Sequence, residues 1–216
     1  METVHNTLSN QGIVLKDHQE EAIQWMKNIE DESEPYGGIL ADDMGLGKTL
    51  EALSLTVANP VKRTLIIVPA SVLEQWVIET VKFLGEDIVD SLSIDEPCDG
   101  YTFTTFYKAA KRDIIQSEQW DRVIIDEGHI IRNRKTMCFN GIRRLKAKHK
   151  WVLSGTPIQN SLKDLKTLLM FVGFPLEMLL NENLLHEISQ AHILRRTKDE
   201  VELKMPKLRV LKYFIN

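Results

Sequence analysis

Three stretches of this 216-residue chain carry residue types that could act together on a phosphate. The first is Asp42-Asp43-Met44-Gly45-Leu46-Gly47-Lys48-Thr49, set between the apolar run Gly38–Ala41 and the helix-like run Leu50–Leu55. A glycine loop between a strand and a helix turns backbone N–H groups and the positive end of a helix dipole toward one point, which favours an anion. Lys48 adds an ammonium for β- and γ-phosphates, and Thr49 a hydroxyl ligand for Mg²⁺. The strict spacing G-x-x-x-x-G-K-[ST] is not met, since Asp42 stands where its first glycine would be. The second stretch, Asp126-Glu127-Gly128-His129, follows the apolar run Val123-Ile124-Ile125. Asp126 is suited to hold Mg²⁺ and Glu127 to polarise an attacking water. Two acids after a strand are common by chance. Beside Lys48 and Thr49, however, they supply the complementary half of one phosphate site. The third stretch, Trp151–Asn160, repeats the strand-then-turn pattern. Its Ser154 and Thr156 could bond the acids or a nucleic-acid phosphate, or form an ordinary serine-threonine turn.

To bring these stretches together, short strands must end on one edge of a sheet. Thr64-Leu65-Ile66-Ile67-Val68-Pro69 reads as a strand buried on both faces and ended by proline. Ser71 is the expected N-cap of a helix over Val72–Ile78. A further strand-helix pair runs through Tyr101–Thr105 and Phe106–Ala110, whereas Ser91–Gly100 reads as irregular. Upstream, Leu15–Met26 reads as an amphipathic helix with Asp17 as N-cap, closed by the polar breaker Asp31–Pro35. Gln19 lies near its start, and an amide can pair with both a donor and an acceptor on a purine edge; a solvent-facing glutamine is the plainer expectation. Leu162–Phe171 and Leu176–Ile188 read as two more helices. At least five strands alternate with helices, the pattern of a parallel α/β domain with ligands at the strands' carboxyl ends.

Composition bounds the rest. An apolar fraction of 43% and a charged fraction of 27% are ordinary for a globular chain. No apolar run approaches the roughly 20 residues that span a bilayer, so no membrane partner is expected. The two cysteines, Cys98 and Cys138, have no partners at metal-ligand spacing, which argues for a reducing interior and against structural zinc. Net charge is −4 but uneven: residues 130–150 hold eight bases, Arg143 and Arg144 among them, and no acid. Such a block could track a phosphate backbone or simply form a solvated helix face.

With these residues in view, the chain resembles the first RecA-like lobe of a helicase-like ATPase of the Swi/Snf type, from Leu15 to Lys207. Asp42–Thr49 resembles that family's D-E-x-M-G-L-G-K-T loop, with Asp43 where glutamate is usual. Gln19 matches its adenine-contacting glutamine. Ile67–Trp76 resembles the motif whose Pro-x-Ser turn lies along DNA, here Pro69 and Ser71. Thr104-Thr105-Phe106 resembles the T-T-Y turn. Asp126–His129 is similar to the D-E-A-H box, and its glycine, followed by Ile131-Arg132-Asn133, resembles a branch of repair and transcription-factor-like helicases. Leu153–Asn160 resembles the coupling motif, and Leu194–Lys198 the segment before the linker to a second lobe.

The resemblance implies an α/β RecA-like P-loop fold over residues 1–207, with 208–216 opening a linker or tail and no second lobe in this chain. It implies ATP and Mg²⁺ as cofactors, with Gln19 and Asp42–Thr49 on the nucleotide and Thr49 and Asp126 on the metal. Lys48, Asp126 and Glu127 would be catalytic, and His129, Ser154, Gly155 and Thr156 would couple nucleotide state to DNA. Pro69, Ser71, Thr104, Thr105, Arg143 and Arg144 would meet double-stranded DNA. The other partner would be a second RecA-like lobe in cis or in trans. The setting would be intracellular, nuclear in a eukaryote and otherwise cytoplasmic or virus-associated. The expected activity is DNA translocation or remodelling, weak in the isolated lobe. The competing expectations are a nucleotide- and DNA-binding module without turnover and, further off, an unrelated P-loop kinase or GTPase.

Overall fold

A computed structural model describes residues 1–155 and 162–201. Thr156, together with Pro157–Asn160 of the third stretch and Met205-Pro206, therefore lies outside the described residues. In chain order the elements are α1 (Glu2–Asn10), α2 (Asp17–Glu32), β1 (Gly37–Leu40), α3 (Lys48–Ala58), β2 (Arg63–Val68), α4 (Leu73–Leu84), β3 (Leu92–Ile94) and β4 (Gly100–Thr105). They continue with α5 (Phe106–Lys111), α6 (Asp113–Ser117), β5 (Gln119–Ile125), α7 (Met137–Arg143), β6 (Lys146–Leu153), α8 (Leu162–Val172), α9 (Leu176–Leu180), α10 (Glu182–His192) and β7 (Ile193–Leu194). The seven strands form one sheet in the order β3-β4-β2-β5-β6-β1-β7, and every pairing is parallel.

Side-chain alternation along each strand divides the core. Ile39, Leu65, Ile67, Val123, Ile125 and Val152 pack on one face against Phe106, Phe139 and Leu168. Their neighbours Leu40, Ile66, Val68, Ile124, Trp151 and Leu153 pack on the other against Met26, Ala52 and Trp76. Both faces are thus covered, which is why the strands read as continuous apolar runs. Through this core runs a charged tie. Glu30 of α2 and Arg122 of β5 are both fully buried, and Arg122 Nε donates to Glu30 Oε1 at 2.7 Å. Trp151 Nε1 donates to the same oxygen at 2.9 Å, and Asn59 Nδ2 to Oε2 at 2.9 Å. Burial alone would raise the Glu30 carboxyl, but Arg122, His149 and Trp151 hold it below the usual carboxylate range.

Local details differ from the sequence reading. Lys16, not Asp17, is the N-cap of α2, because its N–H is taken by the Gln19 side chain. That helix runs through Glu32 and ends within the expected breaker, with Ser33 as its C-cap. Ser71 sits inside a 3-10 turn, Ala70–Val72, and α4 begins two residues later. The Leu176–Ile188 helix is two helices, parted at Asn181, whose side chain caps the second through Asn183 N and Leu184 N. The segment read as irregular contains the edge strand β3. The basic block is not one helix face: Lys146, Lys148 and Lys150 alternate along β6, with Lys148 over the Tyr36 ring and Lys150 over Phe171.

Candidate nucleotide site

Because every strand runs the same way, the motif residues line one edge in sheet order. Thr104 and Thr105 end β4, Pro69–Ser71 follow β2, and Asp126–His129 follow β5. Ser154 and Gly155 follow β6, the glycine loop follows β1, and Arg196 follows β7. Met44, Gly45 and residues 47–50 of the loop and helix start, Asp126 and Glu127, with Glu79 and Phe83 of α4, line an open cleft of about 420 Å³. Lys48, Thr49, Asp126 and Glu127 are therefore gathered as the sequence reading expects.

Within the loop, Gly45 has φ +89° and Gly47 φ +104°, left-handed conformations that L side chains rarely take. Gly47 is the N-cap of α3, so the first amides of that helix face the cleft. Lys48 Nζ donates to the carbonyls of Asp42 (2.6 Å) and Asp43 (3.3 Å), which hold the ammonium over the loop. Burial lowers its pKa, against the opposing pull of Asp42, Glu51, Asp126 and Glu127.

The acid turn is equally constrained. Asp126 Oδ2 accepts from Trp76 Nε1 at 2.9 Å, and Oδ1 accepts from the Glu127 N–H at 2.9 Å. Burial pushes the Asp126 carboxyl up; Trp76 and the Glu127 amide pull it back. Glu127 adopts φ +53°, ψ +53°, a strained conformation for a side-chain-bearing residue, and its carboxylate lies 2.9 Å from His129 Nδ1. Gly128 answers the departure from D-E-A-H: a Cβ there would overlap Val152 Cγ1 of β6. Ser154 is buried, and its N–H donates to Leu40 O at 3.0 Å, joining the third stretch to β1. A Cβ on Gly155 would stand 3.1 Å from Met44 Cγ and 3.7 Å from Lys48 Nζ.

Some expected site residues face elsewhere. Asp42 is fully buried and turned away from the cleft toward Arg196. Gln19 is buried, with Oε1 accepting from Lys16 N–H and Nε2 donating to Leu46 O, both at 3.0 Å, so its amide ties α2 to the loop. Thr104 is buried and donates to Asp95 Oδ1 at 2.7 Å, leaving exposed Ser71 and half-buried Thr105 and Pro69 at that edge. Arg143 and Arg144 are exposed but precede β6, at the amino end of the sheet, so they are not gathered with the other DNA candidates. Trp76, Arg196 and Glu51 carry no assigned role in the sequence reading. Trp76 belongs to a motif noted there. Glu51 is signalled only by being a carboxylate on an otherwise apolar helix stretch. It is fully buried and pushed up to about 8, chiefly by burial and then by Asp42, with Arg196 and Lys48 opposing.

The chain's residues 18–176 match the family model of the SNF2-related domain. A "Probable global transactivator" of Orgyia pseudotsugata multicapsid polyhedrosis virus is 33% identical over 221 residues, covering 89% of this chain and 44% of that protein. The Saccharomyces cerevisiae ATP-dependent helicase FUN30 is 33% identical over 182 residues, covering 74% and 16%. The Sulfolobus solfataricus SWI2/SNF2 ATPase core in complex with dsDNA superposes with a TM-score of 0.71 at 27% identity, over 86% of this chain and 45% of that one. The Sulfolobus solfataricus SWI2/SNF2 ATPase core domain superposes with a TM-score of 0.72 at 27% identity, over 90% of this chain and 46% of that one. The chain thus spans less than half the length of these relatives.

Proposed function

The chain belongs to the SNF2-related family, and from that premise we propose that it is the ATP-binding lobe of an ATP-dependent translocase or remodeller acting on double-stranded DNA. The observation that carries this reading is the single cleft shared by Lys48, Thr49, Asp126 and Glu127. The residues fit the ligands. The two left-handed glycines shape a backbone cradle, and Lys48 stands over it for the phosphates. Among the described residues no three His, Cys, Asp or Glu side chains could hold a metal by themselves. The hydroxyl of Thr49 and the carboxylate of Asp126, lining one cleft, suit Mg²⁺, which takes one or two protein oxygens and completes its shell from phosphates and water; these are the residues to hold it. Once bound, the ion would neutralise charge on the transferring phosphoryl group.

The rest falls to side chains of this chain. Glu127 orients and deprotonates the attacking water, and His129, paired with it, links that base to the turn before α7. Ser154 and Gly155 join the β6 end to the loop, coupling nucleotide state to DNA along Pro69, Ser71 and Thr105; Thr156, expected to share that role, lies outside the described residues. Residues 1–207 would form the lobe and 208–216 the start of a linker, within an intracellular setting. An arginine from a second lobe, in cis or in trans, would supply the charge stabilisation worth roughly 10³–10⁵ in rate. The purified chain should therefore bind Mg²⁺-ATP yet turn it over very slowly, and addition of a second lobe should restore DNA-stimulated hydrolysis. Robust DNA-stimulated turnover by the chain alone would refute the missing-arginine part. Inertness with a second lobe would favour a binding module without turnover.

A further inference from the structure

Arg196 reaches the phosphate loop from 154 residues away in sequence. Its backbone N–H donates to Asp42 Oδ1 at 2.9 Å, its Nε to Oδ2 at 3.0 Å, and its Nη2 to Oδ2 as well. Nη2 also lies 3.3 Å from Glu51 Oε1 on α3, while Nη1 donates to the His18 carbonyl on α2. The backbone on either side closes the same seam. Ala41 N–H donates to Leu194 O at 2.7 Å and Asp43 N–H to Arg196 O at 3.0 Å. Lys198 N–H lies 3.3 Å from Asp43 Oδ2. Glu21, the other carboxylate near the guanidinium, is largely exposed at 3.7 Å.

One planar fork thus spans α2, α3, the loop and the segment after β7, and a lysine ammonium, being a single point, could satisfy only part of it. A buried ion pair that served stability alone would be replaceable at little cost by well-packed apolar groups. Here the acidic partner is part of the loop itself. Asp42 and Asp43 also supply the carbonyls that hold Lys48, so anything that moves Asp42 moves the ammonium.

We propose that Arg196 is a positioning residue of the phosphate loop, fixing through Asp42 the backbone shape that a nucleotide's phosphates would meet. The geometry stands by itself; its consequence for nucleotide rests on the ATP-binding reading above. Coupling of this kind is reciprocal, so a ligand that selects the clamped loop must also hold residues 194–198 more tightly.

Amide hydrogen exchange on the full chain without nucleotide tests the clamp, comparing wild type with Arg196→Lys and Asp42→Asn. The amides of residues 43–47 should exchange at least about tenfold faster in each variant, with β2 and β5 unchanged, since loop opening is a local event. The double variant should be no looser than Arg196→Lys alone, because the side-chain contact to Asp42 that Asp42→Asn weakens is already broken there. Unchanged loop exchange, or protection lost evenly across the sheet, overturns the proposal. Should Arg196→Lys fail to fold, Asp42→Asn, which keeps the side chain's shape, decides the matter by the same readout. Mg²⁺-ATP is then added to wild type: slower exchange at 194–198 is expected, and bound nucleotide that leaves those amides unchanged overturns the coupling. If wild type binds no ATP while the variants still loosen the loop, the ATP-binding reading falls and the role of Arg196 stands.

Discussion

Replacing Gly128 by alanine adds a single methyl group at the most crowded point of the acid turn. Gly128 opens the 3-10 turn that follows the strained Glu127, and it lies buried against β6. A Cβ there would sit 2.2 Å from Val152 Cγ1, more than an ångström inside the 3.4 Å at which ordinary contact begins. Val152 is fully buried in the core and short, so it has no flexible end to swing away. Overpacking of this kind costs roughly 1–3 kcal/mol, with the strain falling on the turn or on β6. In a domain of this size that is a drop of about 3–9 °C in Tm. Val152→Ala alone removes buried methyls and should cost about 2 kcal/mol. Together the two substitutions add one methyl at Gly128 where Val152 has lost Cγ1, the methyl it would strike, so the overlap is relieved while the loss of Cγ2 remains. The double variant should therefore be at least about 1 kcal/mol more stable than the two single costs predict. Urea denaturation of all four proteins with a common m-value measures the coupling. Costs that add within about 0.5 kcal/mol would show that Gly128 is not held by Val152. Because Glu127 and His129 flank the glycine, the single alanine variant should also weaken Mg²⁺-ATP binding, and the compensating Val152→Ala should recover part of it.

Two other perturbations follow from contacts that join distant elements. Trp76→Phe keeps the ring against the core but removes the donor to Asp126 Oδ2. A hydrogen bond to a carboxylate contributes about 1.5–3 kcal/mol, so Mg²⁺ titrations of ATP affinity should shift to Mg²⁺ higher by roughly tenfold to a hundredfold; coincident curves would mean that Trp76 does not orient Asp126. Arg122→Met leaves Glu30 charged and buried, and should cost about 3–5 kcal/mol in denaturant melts at neutral pH. Since the folded pKa of Glu30 lies below its ordinary 4.5, the pair's contribution is present above pH 4.5 and is lost as pH falls through the depressed value. Glu30→Gln should lack that acid-side loss, and an unchanged acid melt would assign it to other carboxylates.

What the sequence discloses about this molecule is set by range. The glycine loop, the acid turn and the strand-helix alternation are local: Thr64–Val68 and Val123–Ile125 are buried on both faces and so show as unbroken apolar runs. Lys48, Thr49, Asp126 and Glu127 then fall into place because parallel strands deliver their carboxyl ends to one edge. The misplacements have equally physical causes. β3 and β7, of three and two residues, are too short to show any period. Ser71 has the right chemistry for a cap, but the 3-10 turn delays α4 past it. Lys146, Lys148 and Lys150 alternate with Ala147 and His149 at a strand period, which a count of bases over residues 130–150 passes over.

The roles of Gln19, Asp42 and Trp76 are illegible for a different reason. Each is a polar group whose partner lies 27, 154 or 50 residues away, and residue type fixes what a side chain can bond, not which way it turns. A buried polar group must find some partner. Asp42 finds Arg196, and Gln19 finds Leu46 O, so both shape the cradle from outside it. The loop's departure from the strict P-loop spacing then has a structural account. At the position where that pattern carries its first glycine, this chain carries a buried carboxylate, and its partner there is the guanidinium of Arg196.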